Sequence, residues 1–259
     1  MNSNLTSQLS DLNKLSINFN NFKIDVGAAS IAPHAATWLL EEPNCFVLII
    51  EPNPLNIQNL NIGNETTPEY KHVSMSGIAN IRAIDQSIMK HNKIVAKYNV
   101  DSAYILQVAV DNVSEIQSAS FYCTDSRNRG CSSLLMPTVN LGLDVEDVVA
   151  VEVCSLEYVL DYINFPKDKT IKFIKTDTQG KDYDVVRSLG KYLKLTEVIK
   201  SEYNVKGQYT NACSKYDFYQ FMIQNDFKLH QDNGVDFVFV NNKYFNPYLI
   251  TMLSKLPNI

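Results

Sequence analysis

The sequence predicts a doubly wound α/β fold whose mainly parallel sheet is finished by an antiparallel hairpin. Three observations carry this. Strand-length apolar runs alternate with helical patterns from residue 22 onward. The run Phe46-Val47-Leu48-Ile49-Ile50 is continuously apolar, as in strands buried on both faces of a parallel sheet. Near the C-terminus, Phe227 to His230 and Val235 to Val240 flank Asp232-Asn233-Gly234, and Asn-Gly supplies the positive φ values that a tight hairpin turn requires.

The elements follow in order. Leu5, Leu9, Leu12 and Leu15 recur at helical spacing and predict a short amphipathic helix packed on the domain from outside. Phe22 to Val26 reads as a buried strand ending at Gly27, and Pro33 to Glu41 as a helix with Pro in its first turn. Cys45 to Ile50 is the second strand, ending at Glu51-Pro52-Asn53-Pro54, with a helix through Leu60 beyond it. Residues 63–101 are polar, with one helical pattern at Ile78, Ile81, Ile84 and Ile88. They have too few apolar residues for a core of their own and read as an insertion. Ala103 to Val110 is a single strand in this reading. Ser114 to Tyr122 is an antiparallel excursion ending in the loop Asp125 to Gly130, and no element is assigned from there to residue 155. Leu156 to Ile163 is helical, and Thr170 to Thr176 is a strand running into Asp177-Thr178-Gln179-Gly180. Asp182 to Leu193 is one helix, Thr196 to Ser201 a strand ending at Glu202, and Tyr216 to Gln224 a helix. Residues 1–259 therefore read as a single domain, with 1–21 as an N-terminal helical segment and 63–101 as its insertion.

Composition narrows the function. With 45% hydrophobic and 20% charged residues the chain is that of a globular protein and not of a disordered one. Its formal charge of −5 offers no general attraction to phosphate backbones, which argues against nucleic acid as a partner. No apolar run approaches the ~18 residues of a membrane span, and the polar stretch Met1 to Gln8 is not a targeting signal, so the expectation is a cytoplasmic protein, or one in a host's cytoplasm, without a membrane partner. The five cysteines form no Cys-x-x-Cys pair, so reduced thiols are expected, with Cys123 and Cys131 as possible neighbours. His72, His91 and His230 show no metal-ligand spacing, and no metal site is expected.

Four places carry chemistry. Asp25-Val26-Gly27-Ala28-Ala29 joins a strand to a helix through small residues, which lets backbone approach a ligand and aims free N–H groups at it. Glu51 ends the second strand slightly more than twenty residues later, where an acidic side chain accepts hydrogen bonds from ribose hydroxyls; the alternative is a solvated Glu at a strand end. Lys175 and Asp177 share a strand face, and Asp177 sits at its carboxyl end, either in a ligand site or in a structural ion pair with Lys175. Glu202 ends the next strand and either shares a cleft with Asp177 or caps a backbone N–H.

The ordered series Asp25-Val26-Gly27-Ala28, Glu51-Pro52-Asn53-Pro54, Val108-Ala109-Val110-Asp111, Ser132-Ser133-Leu134, Ser155-Leu156-Glu157 and Lys175-Thr176-Asp177-Thr178-Gln179-Gly180 resembles the FkbM family of S-adenosylmethionine-dependent methyltransferases over about residues 22 to 241. The resemblance implies a class I methyltransferase (Rossmann-like) fold, in which the last strand inserts antiparallel, and methyl transfer to a hydroxyl oxygen. It implies S-adenosyl-L-methionine as cofactor. Asp25, Gly27 and Ala28 would border its methionine portion, Glu51 would hold the ribose, and Pro52 and Asn53 would shape the adenosine pocket. Asp111 would meet the adenine, Ser132 and Ser133 would line the cleft, and Asp177 would lie near the methyl group and acceptor. Asp177, Glu202 and His34 are the candidates to take the acceptor's proton, with a structural role at a helix start as the favoured reading of His34. Where the family often shows Asn and Gly, this chain has Ala29-Ser30-Ile31.

The expected acceptor is a hydroxyl on a sugar or small glycosylated molecule. Arg127 and Arg129 lie on the expected acceptor side and suit a phosphate, which makes a sugar nucleotide a fitting form of it. The competing readings are an RNA ribose 2′-O-methyltransferase and a non-catalytic binding domain with the same fold. A dehydrogenase is the weakest option, because Gly-x-Gly-x-x-Gly is absent. Oligomeric state is not legible.

Overall fold

The computed structural model describes residues 4–42, 44–62, 90–91, 93–125, 128–203 and 207–246. Seven strands form the main sheet: β1 (Phe22–Val26), β2 (Phe46–Ile50), β3 (Ala103–Leu106), β7 (Ile171–Thr176), β8 (Val198–Glu202), β9 (Phe227–Asp232) and β10 (Asp236–Asn241). Their order is β3-β2-β1-β7-β8-β10-β9. The ladders from β3 to β8 are all parallel, and β10 runs antiparallel to β8 and to β9. This is the expected class I methyltransferase layout. The chain winds outward from β1 to β3 and then restarts at β7 on the other side, so the strand order reverses between β1 and β7. In open α/β sheets that crevice at the carboxyl edge is where ligands bind.

Strand alternation sends two sets of side chains to opposite faces. Ile24, Val26, Leu48, Ile50, Ile174, Ile199 and Phe239 pack on one face. The helices α1 (Asn4–Asn13), α4 (Leu156–Tyr162), α5 (Asp182–Arg187) and α6 (Lys215–Gln224) cover it. Val47, Ile49, Phe173, Val198, Val238 and Val240 pack on the other face, beneath Trp38 and Leu39 of α2 (Pro33–Glu41) and Leu60 of α3 (Pro54–Ile62). Leu5, Leu9 and Leu12 of α1 are fully buried, so the predicted N-terminal helix is part of the core. Helix α2 has no side-chain cap of its own at Ala32, and Asp25 supplies one from β1: its Oδ2 accepts the Ala35 N–H at 3.2 Å.

Three expectations need correction. The single strand over 103–110 is two. The Gln107 N–H leaves the ladder and donates to Gln8 Oε1 of α1 at 2.8 Å, and the chain crosses into a second sheet as β4 (Ala109–Val110). That sheet, ordered β4-β6-β5, contains β5 (Gln117–Thr124), the predicted antiparallel excursion. Its centre is the unassigned strand β6 (Val145–Cys154). The helix over 182–193 stops at Arg187, and a 3₁₀ turn covers Gly190–Leu195. Gly190 has φ +50°, and a Cβ there would stand 1.9 Å from Glu157 Oε2, so this turn packs against α4 only without a side chain.

Of the insertion, residues 93–98 are helical and bury Val95 against the face under α2; the pattern Ile78, Ile81, Ile84 and Ile88 lies outside the described residues. Among the described residues no helix is long and apolar enough to cross a membrane. None of the five cysteines forms a disulfide.

Candidate active site

A cavity of about 480 Å³, open to solvent, lies at the carboxyl edge between the main sheet and the second sheet. Its floor is Val26 and Gly27 after β1, Glu51 and Pro52 after β2, and Asp177 and Thr178 after β7. The second sheet supplies Val108, Ala109, Val110 and Phe121 as an apolar wall, and the loop after β5 adds Gly130, Ser132 and Leu134.

Gly27 has φ +72°, and a Cβ on it would stand 1.9 Å from the Asp177 carbonyl oxygen. The glycine is therefore needed by the fold as well as by any ligand, because it lets the ends of β1 and β7 touch. The loop beyond it reaches left-handed geometry without glycine, at Ala29 (φ 52°) and Ala32 (φ 39°). Glu51 holds this shape. Its Oε2 accepts the Ala29 N–H at 2.8 Å, and its Oε1 accepts the Asn53 N–H at 2.9 Å and Asn56 Nδ2 at 3.2 Å. Burial raises the Glu51 carboxyl above its ordinary range, and these donors oppose the rise. Asn56 Oδ1 and Thr178 Oγ1, on two residues that line the cavity, are buried without a partner. Such oxygens are costly unless a ligand or water donates to them.

Acidic and basic groups crowd the β7 side. Lys175 Nζ donates to the Gly27 carbonyl at 2.9 Å and lies 3.5 Å from Asp25 Oδ1 and 3.6 Å from Asp177 Oδ2. Burial works against its charge, but the Asp177 and Asp25 carboxylates outweigh it and keep Lys175 protonated. Burial likewise works against the Asp177 charge, and Lys175 outweighs it, so the Asp177 carboxyl is held below the usual range. Glu202 goes the other way: burial first, and the Asp177 charge second, push its carboxyl far above the usual range. Gln179 Nε2 donates to both carboxyls, to Asp177 Oδ1 at 2.6 Å and to Glu202 Oε2 at 2.8 Å, and so holds them side by side. Asp182 beneath them accepts the Thr178 N–H at 3.0 Å and the Gly180 N–H at 3.3 Å; burial and the Asp177 charge push its carboxyl up to about 6.

Of the residues singled out in the sequence, Gly27, Glu51, Pro52, Ser132 and Asp177 line the cavity. The others stand behind its wall. Asp25 is fully buried and occupied with α2 and Lys175. Ala28 packs in the core under α2. Asn53 Oδ1 accepts the Leu55 N–H at 3.0 Å at the start of α3. Asp111 pairs with Lys181 at 2.9 Å, and that lysine, not Asp111, reaches the cavity. Glu202 touches the site through Asp177 and Gln179. His34 is 7% exposed, its ring centroid 5.9 Å from that of Trp38, and burial lowers its pKa to about 4. Its ring packs beside Trp38 and is not among the residues that line the cavity. Ser133 Oγ donates to the Gln179 carbonyl at 2.8 Å. Arg127 and the Arg129 side chain lie outside the described residues.

Asn56, Lys181 and Tyr209 were not singled out, and Gln179 stood in the 175–180 motif without a role of its own. Asn56 lies one helical turn beyond Glu51, and Lys181 and Gln179 sit within or directly after the 175–180 motif, so proximity was their signal. Tyr209 had none; its hydroxyl reaches Gln179 Oε1 at 2.8 Å from a distant loop. Among the described residues no group of three or more His, Cys, Asp or Glu is placed to hold a metal ion. Among curated proteins, none is similar enough to match the chain. The Methyltransferase FkbM domain matches residues 25–229, from β1 into β9, and the chain belongs to that family of methyltransferases.

Proposed function

We propose that the protein transfers the methyl group of S-adenosylmethionine to a hydroxyl of a sugar or small glycosylated molecule. The observation that carries this reading is the cavity at the reversal of strand order, lined by Glu51, by Asp177 and by Asn56 and Thr178, whose buried side-chain oxygens have no partner. The residues fit the cofactor. Glu51 Oε2 has one protein donor and room to accept from a ribose hydroxyl, Asn56 Oδ1 accepts a further donor, and Pro52, Val108, Ala109 and Phe121 offer an apolar surface to a purine.

The cofactor, when bound, would supply a methyl group activated by a positively charged sulfonium. The protein aligns donor and acceptor and excludes water. An acceptor hydroxyl must also lose its proton as its oxygen lone pair closes on the methyl carbon. Asp177, ionised by Lys175 and with a side chain 41% exposed, is the group placed to receive it. A small hydroxylated acceptor, in place of a polyanion, also suits a chain with net charge −5, which does not concentrate polyanions around itself.

The test is methyl transfer from labelled cofactor to sugar nucleotides, free glycans and capped RNA. The proposal expects labelled carbohydrate. Transfer to RNA alone, steeply weakened by salt, would assign the RNA ribose reading instead.

A further inference from the structure

Gln179 is an unusual residue for its backbone. Its φ is +56°, in the left-handed region that branched and long side chains avoid, and Gly180 follows at φ +97°. Strain of this kind persists where the surroundings over-determine it, and it clusters at functional sites. Here the surroundings are specific. The Ser133 hydroxyl holds the Gln179 carbonyl. The Tyr209 hydroxyl lies 2.8 Å from Gln179 Oε1 and 2.8 Å from the Cys131 carbonyl oxygen. Tyr209 is itself pinned by a bridge to Pro137, and its Cβ stands 3.0 Å from where a Cβ on Gly180 would fall. Oε1 faces the Tyr209 hydroxyl, whose single proton is shared between it and the Cys131 carbonyl, and the amide nitrogen points the other way, where it meets Asp177 Oδ1 and Glu202 Oε2. The reverse orientation would set a carbonyl oxygen against two carboxyls.

We propose that Gln179 is a positioning residue, which clamps Asp177 and Glu202 into one pair so that the two carboxyls act as a single acceptor for the proton of the incoming hydroxyl. The inference rests on the methyl-transfer reading above. In the resting site the pair holds one proton, on Glu202, and one negative charge, centred on Asp177. The hydroxyl proton passes to Asp177 as the oxygen–carbon bond forms and the carbon–sulfur bond breaks, and the pair then releases that proton to solvent. The charged and titratable groups that face the pair are consistent with a single charge there. Lys175 stabilises it from β7, while Asp182 and Asp236 disfavour a second ionisation at Glu202. Asp236 is balanced by Lys200 at 3.4 Å. Cys131, Tyr209 and His34 also sense the pair and stay neutral beside it.

The test is a carboxyl-¹³C NMR titration of labelled wild type, Gln179→Ala and Gln179→Gly, with Glu202→Gln for assignment. Gln179→Gly relieves the positive φ, so a folded control exists even if Gln179→Ala is unstable. The clamp predicts that in both variants the carboxyls separate and the Glu202 midpoint falls by about one pH unit or more. With an acceptor from the carbohydrate screen, turnover falls about tenfold or more while the cofactor KM changes little. A Glu202 midpoint that stays at its wild-type value in the glycine variant would overturn the proposal. Wild-type protein that fails to bind S-adenosylhomocysteine in calorimetry would instead overturn the methyl-transfer reading, and the titration would still report on the clamp.

Discussion

The ends of β2 and β7 each present a carboxylate to one cavity, and the two are built in opposite ways. Glu51 is 4% exposed and surrounded by N–H donors from its own turn and from the loop after β1. Asp177 has a side chain 41% exposed, a buried lysine at 3.6 Å and a second carboxyl sharing its donor. The first arrangement fixes shape: a carboxyl held by neutral donors ties the turns after β1 and β2 together, and Oε2, with one donor, keeps room for a second. The second stores a proton next to a charge, in a position a substrate can reach. On this account β2 grips the donor and β7 serves the acceptor, although both strand ends carry the same functional group.

The largest expected effect comes from the contact that joins the two sides. Gly27→Ala would drive a Cβ into the Asp177 carbonyl at 1.9 Å, backbone against backbone, at φ +72°. We expect a loss of more than about 3 kcal/mol, or no folded protein, by thermal or chemical denaturation. Gly142→Ala is the control: its φ is +67° with nothing within 4 Å, so only the left-handed strain of about 1 kcal/mol remains. Equal losses for the two variants would show that the β1–β7 contact is unimportant.

The flank of the β7 side gives a pH-dependent effect of intermediate size. Burial lowers His34 to about 4 in the folded protein, against 6.5 for an unperturbed histidine, so between those values the unfolded chain binds more protons and stability falls as pH falls. The full effect is on the order of 3 kcal/mol. Asp182, raised from 3.8 to about 6, acts with the opposite sign: its contribution is fully present below 3.8 and is lost as pH rises through 6. Unfolding curves of wild type and His34→Gln from pH 7 to pH 4 separate the two, because only the histidine term differs. The wild type should lose stability relative to the variant on acidification. Parallel curves would mean that His34 is solvated and the flank is wet.

Much of this architecture was legible because periodicity and burial agree. The apolar run 46–50 could only be an interior strand, and the leucines at 5, 9 and 12 could only pack. The Asn-Gly turn announced the hairpin. β6 was missed because it mixes Val with Glu and Asp on a half-solvated sheet, a weak pattern even after the turn at Asn140 and Gly142. The break at Gln107 depends on Gln8, ninety-nine residues away, and no local pattern reports that. The site divides similarly. Glu51, Gly27 and Asp177 stand at strand ends, and strand ends can be read. Asp25, Ala28, Asn53 and Asp111 are equally close in sequence but turn away, since each satisfies a helix start, the core or an ion pair. Direction, unlike position, is set by tertiary partners.

The most direct test is calorimetry of S-adenosylhomocysteine binding to wild type, Glu51→Gln and Asp177→Asn, each first shown to be folded. The account predicts saturable binding by the wild type and a loss of about tenfold in affinity for Glu51→Gln, from one impaired hydrogen bond of ~1–2 kcal/mol. It predicts an affinity for Asp177→Asn within about threefold of wild type, because that side chain serves the acceptor. No binding by the wild type at millimolar ligand, or a larger loss for Asp177→Asn than for Glu51→Gln, would contradict it.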